Sequence, residues 1–267
     1  MINLRNIFFF DIDGTLLDTT KGERMLSKCL ANNINALRKY GHIVVACTAR
    51  PKLFIDLLLP NVFDCNILLN GAFVSTEKEV LIDNPLSPKE IIQLNSFFKH
   101  IDARYIYIGN SSCCAYNIPI QYKKLLDSIY MVGDDYTLFS PSENNKAYAI
   151  DLFFKNASEA ARISPLINAT KKMTLNYHPG DFTGDISFAN KNKATAICHV
   201  LQHYKINIKN SYAFGDSLND LDVFRLIPNT CAVGNAVLQL KNIASTVSEG
   251  CAGLGVLEGL QYWGYNL

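Results

Sequence analysis

Residues 7–10 are Ile-Phe-Phe-Phe, and the next three are Asp11-Ile12-Asp13. An apolar run this short, with no polar residue in alternation, has one comfortable fate. It becomes a strand buried on both faces, which is the habit of parallel sheets. Residues 43–47 repeat the pattern and end at Thr48, and residues 67–69 end at Asn70-Gly71. Between them the apolar period changes from continuous to helical. Met25, Leu26, Cys29, Leu30, Ile34 and Leu37 predict a helix over 22–39 that Gly41 stops, and a short helix fits 52–59 before Pro60. The last part of the chain does the same. Helices are expected at 193–205, 218–226, 237–244 and 254–263, with strands at 212–214 and 231–233. Strand alternating with helix at this rhythm means βαβ units and a parallel sheet.

The middle of the chain follows another rule. Segments 105–108, 148–154 and 174–177 mix apolar and polar positions, and helices fit 88–99 and 157–168. That is an antiparallel sheet with helices on one face. Turn residues mark its borders, Asp83-Asn84-Pro85 on one side and His178-Pro179-Gly180-Asp181 on the other. The expected architecture is α/β: a Rossmann-like parallel-sheet core from residues 1–83 and 184–267, with an inserted α+β domain at 84–183.

With 49% hydrophobic and 18% charged residues, a disordered chain is excluded. A formal net charge of +1 gives no support to a nucleic-acid partner held by a large basic surface. No stretch reaches the roughly 18 apolar residues of a membrane span, so no membrane partner is expected. The eight cysteines show no CxxC spacing. Cys29, Cys47, Cys65, Cys198 and Cys231 lie in apolar periodic segments and are expected to be buried thiols of a reduced, cytoplasmic protein. The Cys113-Cys114 pair reads as two ordinary thiols on a strand.

The chemistry gathers where predicted core strands end. Ligands of open parallel sheets bind beyond the carboxyl ends of the strands. Asp11 to Thr15, Thr48, Asn70-Gly71, and Gly215 to Asp220 all fall there. Asp11, Asp13, Asp216 and Asp220 together repel one another unless a cation neutralises them. Hard oxygen donors suit Mg²⁺, and such a centre attracts an anionic substrate, with phosphate the obvious choice. Asp11, directly off its strand, is the best candidate nucleophile for an aspartyl-phosphate. Asp13, at the turn, can protonate a leaving oxygen and then deprotonate water. Gly14 lets the backbone turn sharply and present N–H groups, and Thr48 offers a hydroxyl to a phosphoryl oxygen. A lysine is needed against the phosphoryl charge, and Lys191 and Lys193 both stand at a helix start. His199 and His203 fall off the apolar stripe of their helix and read as a solvated pair. His178 reads as a turn residue. Arg50 either touches substrate or braces the segment around Thr48.

In this order the motifs resemble the haloacid dehalogenase superfamily, in its Cof-type sugar-phosphatase branch. They are Asp11-Ile-Asp13-Gly14-Thr15-Leu16, Thr48-Ala49-Arg50, Asn70-Gly71-Ala72, Asp185-Ile186 with Asn192-Lys193-Ala194, Gly215 to Asp220, Gly234-Asn235-Ala236 and Gly255-Val256. Ala49 and Ala194 replace the usual glycines, and the approach to the lysine has Phe188 and Asn190-Lys191 in place of the usual residues. The resemblance implies Asp11 as nucleophile and Asp13 as general acid/base. It implies Mg²⁺ held by Asp11, the Asp13 carbonyl and Asp216, with Asn219 and Asp220 in support. It selects Lys193, which with Gly14, Thr48, Ala49, Asn70 and Gly71 would hold the phosphoryl group. The inserted domain becomes a cap. The expected activity is hydrolysis of a small phosphorylated metabolite, a sugar phosphate or similar phosphomonoester. A phosphomutase of the same superfamily and a non-catalytic phosphometabolite-binding regulator are the alternatives.

Overall fold

The computed structural model describes residues 5–110, 113–116, 146–178, 180, 182–188 and 191–265. The chain forms two compact units. The first is built from residues 1–49, 56–82 and 193–267, the second from 50–55 and 83–192.

An eight-stranded sheet makes the first unit. Its strands are β1 (Ile7–Phe10), β2 (Ile43–Cys47), β3 (Cys65–Leu68), β4 (Phe73–Thr76), β5 (Val80–Asp83), β11 (Ser211–Gly215), β12 (Asn229–Ala232) and β13 (Thr246–Val247), in the order β13-β12-β11-β1-β2-β3-β4-β5. From β13 to β3 every ladder is parallel, and β4 turns back antiparallel on β3. β1 lies between β2 and β11, with Phe9 opposite Val45 on one side and Ala213 on the other. All four β1 residues are buried.

The reason is that each face of the sheet has its own cover. Ile7, Phe9, Val45, Cys47 and Ile67 pack with Ile197, Val200 and Leu201 of a helix at Lys193–Tyr204 and with Val223 and Phe224 of one at Leu221–Leu226. On the alternate positions Phe8 stacks on Tyr212 at 4.8 Å and Phe10 on Phe214 at 4.9 Å, and Trp263 and Tyr265 meet these rings edge-on. Helix α1 (Lys28–Lys39) lies against β2 and against the last helix, Ala252–Tyr262.

Helix α1 is shorter than its apolar period suggests. The Ser27 side chain accepts the Leu30 N–H at 3.2 Å and caps the helix there. Gly22 adopts a left-handed conformation, φ 73°, which closes a 3₁₀ turn at Thr19–Lys21. Met25 is thus outside the helix and 76% exposed, and the buried line is Leu30, Asn33, Ile34 and Leu37. Cys29 and Cys198 are exposed too, contrary to expectation, while Cys47, Cys65 and Cys231 are buried free thiols. β4 and β5 have no counterpart in the sequence reading.

The second unit is a five-stranded antiparallel sheet. Its strands are β6 (Arg104–Ile108), β7 (Cys113–Tyr116), β8 (Ala149–Phe153), β9 (Met173–His178) and β10 (Thr183–Phe188), in the order β7-β6-β8-β10-β9. Two capped helices pack with it. Ser87 and Glu90 form a reciprocal capping box on Pro88–His100, and Asn156 caps Ala157–Asn168. Their core joins Leu94, Phe98, Ile163 and Ile167 to Tyr105, Tyr107, Ile150 and Leu152. The border expected between residues 183 and 184 falls inside this sheet. Residues 183–188 form β10, paired to both β8 and β9, and the unit runs on to Asn192. Segment 50–55 also groups with this unit, tied by the Leu53 N–H to the Asn110 carbonyl at 3.0 Å. Pro179, Asp181, Asn190 and the Cys114 side chain lie outside the described residues. Among the described residues no helix is long and apolar enough to cross a membrane.

Phe98 is fully buried, with its ring 4.6 Å from that of Tyr105. Phe98→Ala is expected to lower the unfolding free energy by about 3–5 kcal/mol, measured by urea denaturation. A change within error would show that this core is not the load on which the second unit rests.

Candidate active site

The parallel register sends the chain out of β1, β2, β3 and β11 at one edge of the sheet. Asp11 leaves β1 still in the ladder, with its N–H on the Phe214 carbonyl at 3.1 Å, and its side chain is buried. The chain then tightens. The Ile12 carbonyl accepts from Thr15, Leu16 and Leu17, and the Gly14 N–H donates to Leu17 at 2.8 Å. Gly14 has φ 82°, and a Cβ there would collide with the Asp216 carboxylate. Only glycine meets both demands. Asp13 is half-buried and pairs by backbone with Leu17. Thr15 is fully buried and its hydroxyl donates to Asp216 Oδ1 at 3.1 Å.

Thr48 ends β2 in a similar way. It is buried, its N–H bonds the Ile67 carbonyl at 2.9 Å, and its carbonyl accepts from Asn70 N–H at 3.2 Å. Half-buried Ala49 follows. After β3 comes a run of left-handed residues, Leu69, Asn70 and Gly71, with φ of 53°, 54° and 92°. Two consecutive non-glycine residues in this region are uncommon, and such strain concentrates at functional sites. Asn70 Oδ1 is buried with no hydrogen-bond partner among the described residues.

Lys193 opens its helix and is 2% exposed. Its Nζ lies 2.7 Å from Asp11 Oδ1, 2.7 Å from Asp220 Oδ1 and 3.4 Å from Asn219 Oδ1. Lys191, also buried, goes elsewhere. Its Nζ donates to the Asn84 carbonyl at 2.9 Å and lies 5.6 Å from the centre of the Phe188 ring. The geometry thus separates two lysines that spacing could not. Asp220 does two things: Oδ1 faces Lys193, and Oδ2 accepts the N–H groups of Asp216 and Ser217 at 3.2 and 3.3 Å. The Ser217 hydroxyl donates to Asn219 Oδ1 at 2.7 Å.

Carboxylate oxygens of Asp11, Asp216 and Asp220 lie within 4.8 Å of one another, close enough to hold one metal ion. Burial raises the Asp11 carboxyl well above its ordinary value, and Lys193 opposes this only in part. Burial, then Asp220, pushes Asp216 up to about 7. Burial alone would disfavour the Lys193 charge, but Asp11 and Asp220 outweigh it and hold the ammonium charged well above the usual range. One tethered cation therefore faces three crowded carboxylates, a donor set of hard oxygens that suits a small divalent cation.

Other expected residues have partners of their own. Arg50 stacks over the Phe54 ring at 4.7 Å. Asp185 bonds Asn176 and His178, each at 2.8 Å, and His178 is the last residue of β9, an exposed strand end where a turn residue was expected. His199 and His203 are exposed, as expected. Sequence reasoning gave Asn235 no role, yet its amide donates to the Gly14 carbonyl at 2.8 Å. The Gly-Asn-Ala pattern at the end of β12 was its signal.

Asp216 supplies a pH test on metal-free protein. Its folded carboxyl titrates near 7, against about 3.9 when unfolded. Between these values the folded state binds the extra proton, so this group's stabilisation is complete at low pH and lost as pH rises through 7. In chelator, the stability difference between wild type and Asp216→Asn should shift against wild type from about pH 5 to about pH 8, read by urea denaturation. A difference independent of pH would sink the assignment.

The sequence profile of haloacid dehalogenase-like hydrolases matches residues 8–260. The Bacillus subtilis (strain 168) protein YkrA is 26% identical over 249 residues, covering 91% of each chain. A phosphoglycolate phosphatase of Archaeoglobus fulgidus is 27% identical over 260 residues, covering 95% of each. Among solved structures, a hypothetical protein of Geobacillus kaustophilus HTA426 superposes with TM-score 0.79 at 25% identity, covering 98% of this chain and 99% of that one. A subclass IIB sugar phosphatase of the superfamily shares the fold, with TM-score 0.78 at 20% identity over 97% and 99% of the two chains. With the profile spanning both units and the acidic loops in place, the chain belongs to the haloacid dehalogenase-like hydrolases, in the Cof-type branch that its motifs resemble.

Proposed function

We propose that this protein is a Mg²⁺-dependent phosphatase of small phosphorylated metabolites that works through an aspartyl-phosphate on Asp11. One observation carries the reading: Asp11 is fixed at the end of the central strand, against Lys193 and beside Asp216 and Asp220. Relatives named for phosphatase activity support it. The second unit, residues 50–55 and 83–192, takes the part of the cap domain in this reading.

Asp11, the Asp13 carbonyl and Asp216 would hold the metal, with Asn219 and Asp220 in support. When bound, Mg²⁺ supplies positive charge to the phosphoryl oxygens and neutralises the carboxylate cluster. Asp11 must be ionised to act, and its burial works against that. The Lys193 ammonium at 2.7 Å favours the charged form, and a bound cation would add to that. An Asp11 oxygen bonds to phosphorus as the bond to the leaving oxygen breaks, and Asp13 gives that oxygen its proton. Asp13 then takes a proton from water, whose oxygen attacks phosphorus, releasing inorganic phosphate and restoring Asp11. The Thr48 hydroxyl and Lys193 bind phosphoryl oxygens. The Gly14 turn, Ala49, Asn70 and Gly71 shape the wall around them.

The test is phosphate release from a panel of phosphate esters with Mg²⁺, repeated in chelator. Wild type should hydrolyse some esters only with the metal, and Asp11→Asn should abolish turnover. Asp13→Ala should cost about 10²–10⁴-fold in rate. Lys193→Ala should cost about 10²–10³-fold, while Lys191→Ala stays near wild type. A silent panel would favour the regulator, and isomerisation of a sugar phosphate without phosphate release would favour the mutase.

A further inference from the structure

The geometry points to Asn235 as a positioning residue that holds the Gly14 turn, and with it the acidic centre, in register. This rests on the phosphatase reading above and adds a residue to it. The segment after β12 touches both acidic loops. The Val237 N–H bonds the Asp216 carbonyl at 2.8 Å. Two residues earlier, Asn235 Nδ2 donates to the Gly14 carbonyl at 2.8 Å, across 221 residues of sequence. Its other end is also spent, since Asn235 Oδ1 accepts the Ala252 N–H at 2.8 Å, where the last helix begins. An exposed side chain that uses both halves of its amide on backbone from two distant segments is a brace.

What it braces matters. The Gly14 carbonyl belongs to the Gly14–Thr15 peptide, and the absent Gly14 side chain leaves room for the Asp216 carboxylate. Thr15, one residue on, donates to that same carboxylate. A shift of that peptide would therefore carry the Thr15 residue and its hydroxyl bond to Asp216 with it, and would strain the adjoining Asp13–Gly14 peptide through the Gly14 Cα. The position of Ala252 fits a fixed anchor: it has φ 46°, a backbone conformation that alanine rarely adopts.

Two substitutions separate the halves of the amide. Asn235→Ala removes both bonds. Asn235→Asp keeps an acceptor for the Ala252 N–H at a helix start, but turns an acceptor toward the Gly14 carbonyl. We measure Mg²⁺ and Mn²⁺ binding by titration calorimetry, the melting temperature of metal-free protein, and kcat and KM for p-nitrophenyl phosphate. Asn235→Ala should weaken metal binding and lower kcat by about 10–100-fold, with KM within about threefold of wild type. Asn235→Asp should keep the melting temperature of wild type and still lose kcat. Wild-type metal binding in Asn235→Ala would overturn the inference. So would a wild-type kcat in Asn235→Asp beside a lowered melting temperature in Asn235→Ala, the pattern of a helix cap alone. If wild type hydrolyses no ester, the phosphatase reading fails, and the calorimetry still decides the brace.

Discussion

The Lys193 ammonium, held between Asp11 and Asp220 at 2.7 Å from each, is the interaction on which the edge of the sheet depends. Three carboxylates crowd there, Asp11 and Asp220 buried and Asp216 half-buried, and charge buried without a partner is costly. Lys193 neutralises part of that charge, and it comes from the first turn of a helix packed against β3. The shared ammonium thus connects the loop after β1, the loop after β11 and the helix that covers one face. What remains unneutralised is as informative as the pair itself. Asp216 keeps a raised pKa of about 7, so the protein alone does not satisfy this cluster.

The rest of the site follows from strand direction. Parallel strands all release the chain at one edge, so the turns after β1, β2, β3 and β11 meet without help from any long loop. Each turn then spends local strain to aim its groups. Gly14 gives up a side chain to admit Asp216, and Leu69 and Asn70 accept left-handed backbone beside Thr48. Asp220 shows how economical the arrangement is, since one carboxylate both caps its own turn and partners the buried lysine.

Much of this was legible in the sequence, for a physical reason. A run such as Ile7–Phe10 or Ile43–Cys47 has only one place to go, and the structure begins and ends these strands where the polarity changes. Capping is subtler. Met25 and Leu26 continue the apolar period of α1, but Ser27 ends the helix before it reaches them. Cys29 and Cys198 fell to the same error, because a small hydrophobe near a stripe need not lie on it. The motif pattern makes Asp185 and Ile186 the approach to a lysine and hides that they are also rungs of β10 between two strands. The choice between Lys191 and Lys193 needed coordinates: two residues apart, they point to different units. No periodicity announces Asn235, whose partners are 221 and 17 residues away.

The central position of β1 has a consequence for biosynthesis. One neighbour, β2, follows within 40 residues, but the other, β11, begins only at Ser211. As the ribosome extends the chain, Phe8 and Phe10 must wait for Tyr212 and Phe214, the rings they stack on. The second unit is almost one continuous segment and has all five of its strands by residue 188. Contacts of long sequence separation form slowly, and domains fold as units during synthesis. The insertion can thus be complete while the sheet that surrounds it in sequence is still missing three of its eight strands, and the aromatic first strand is the part of the nascent chain most in need of protection.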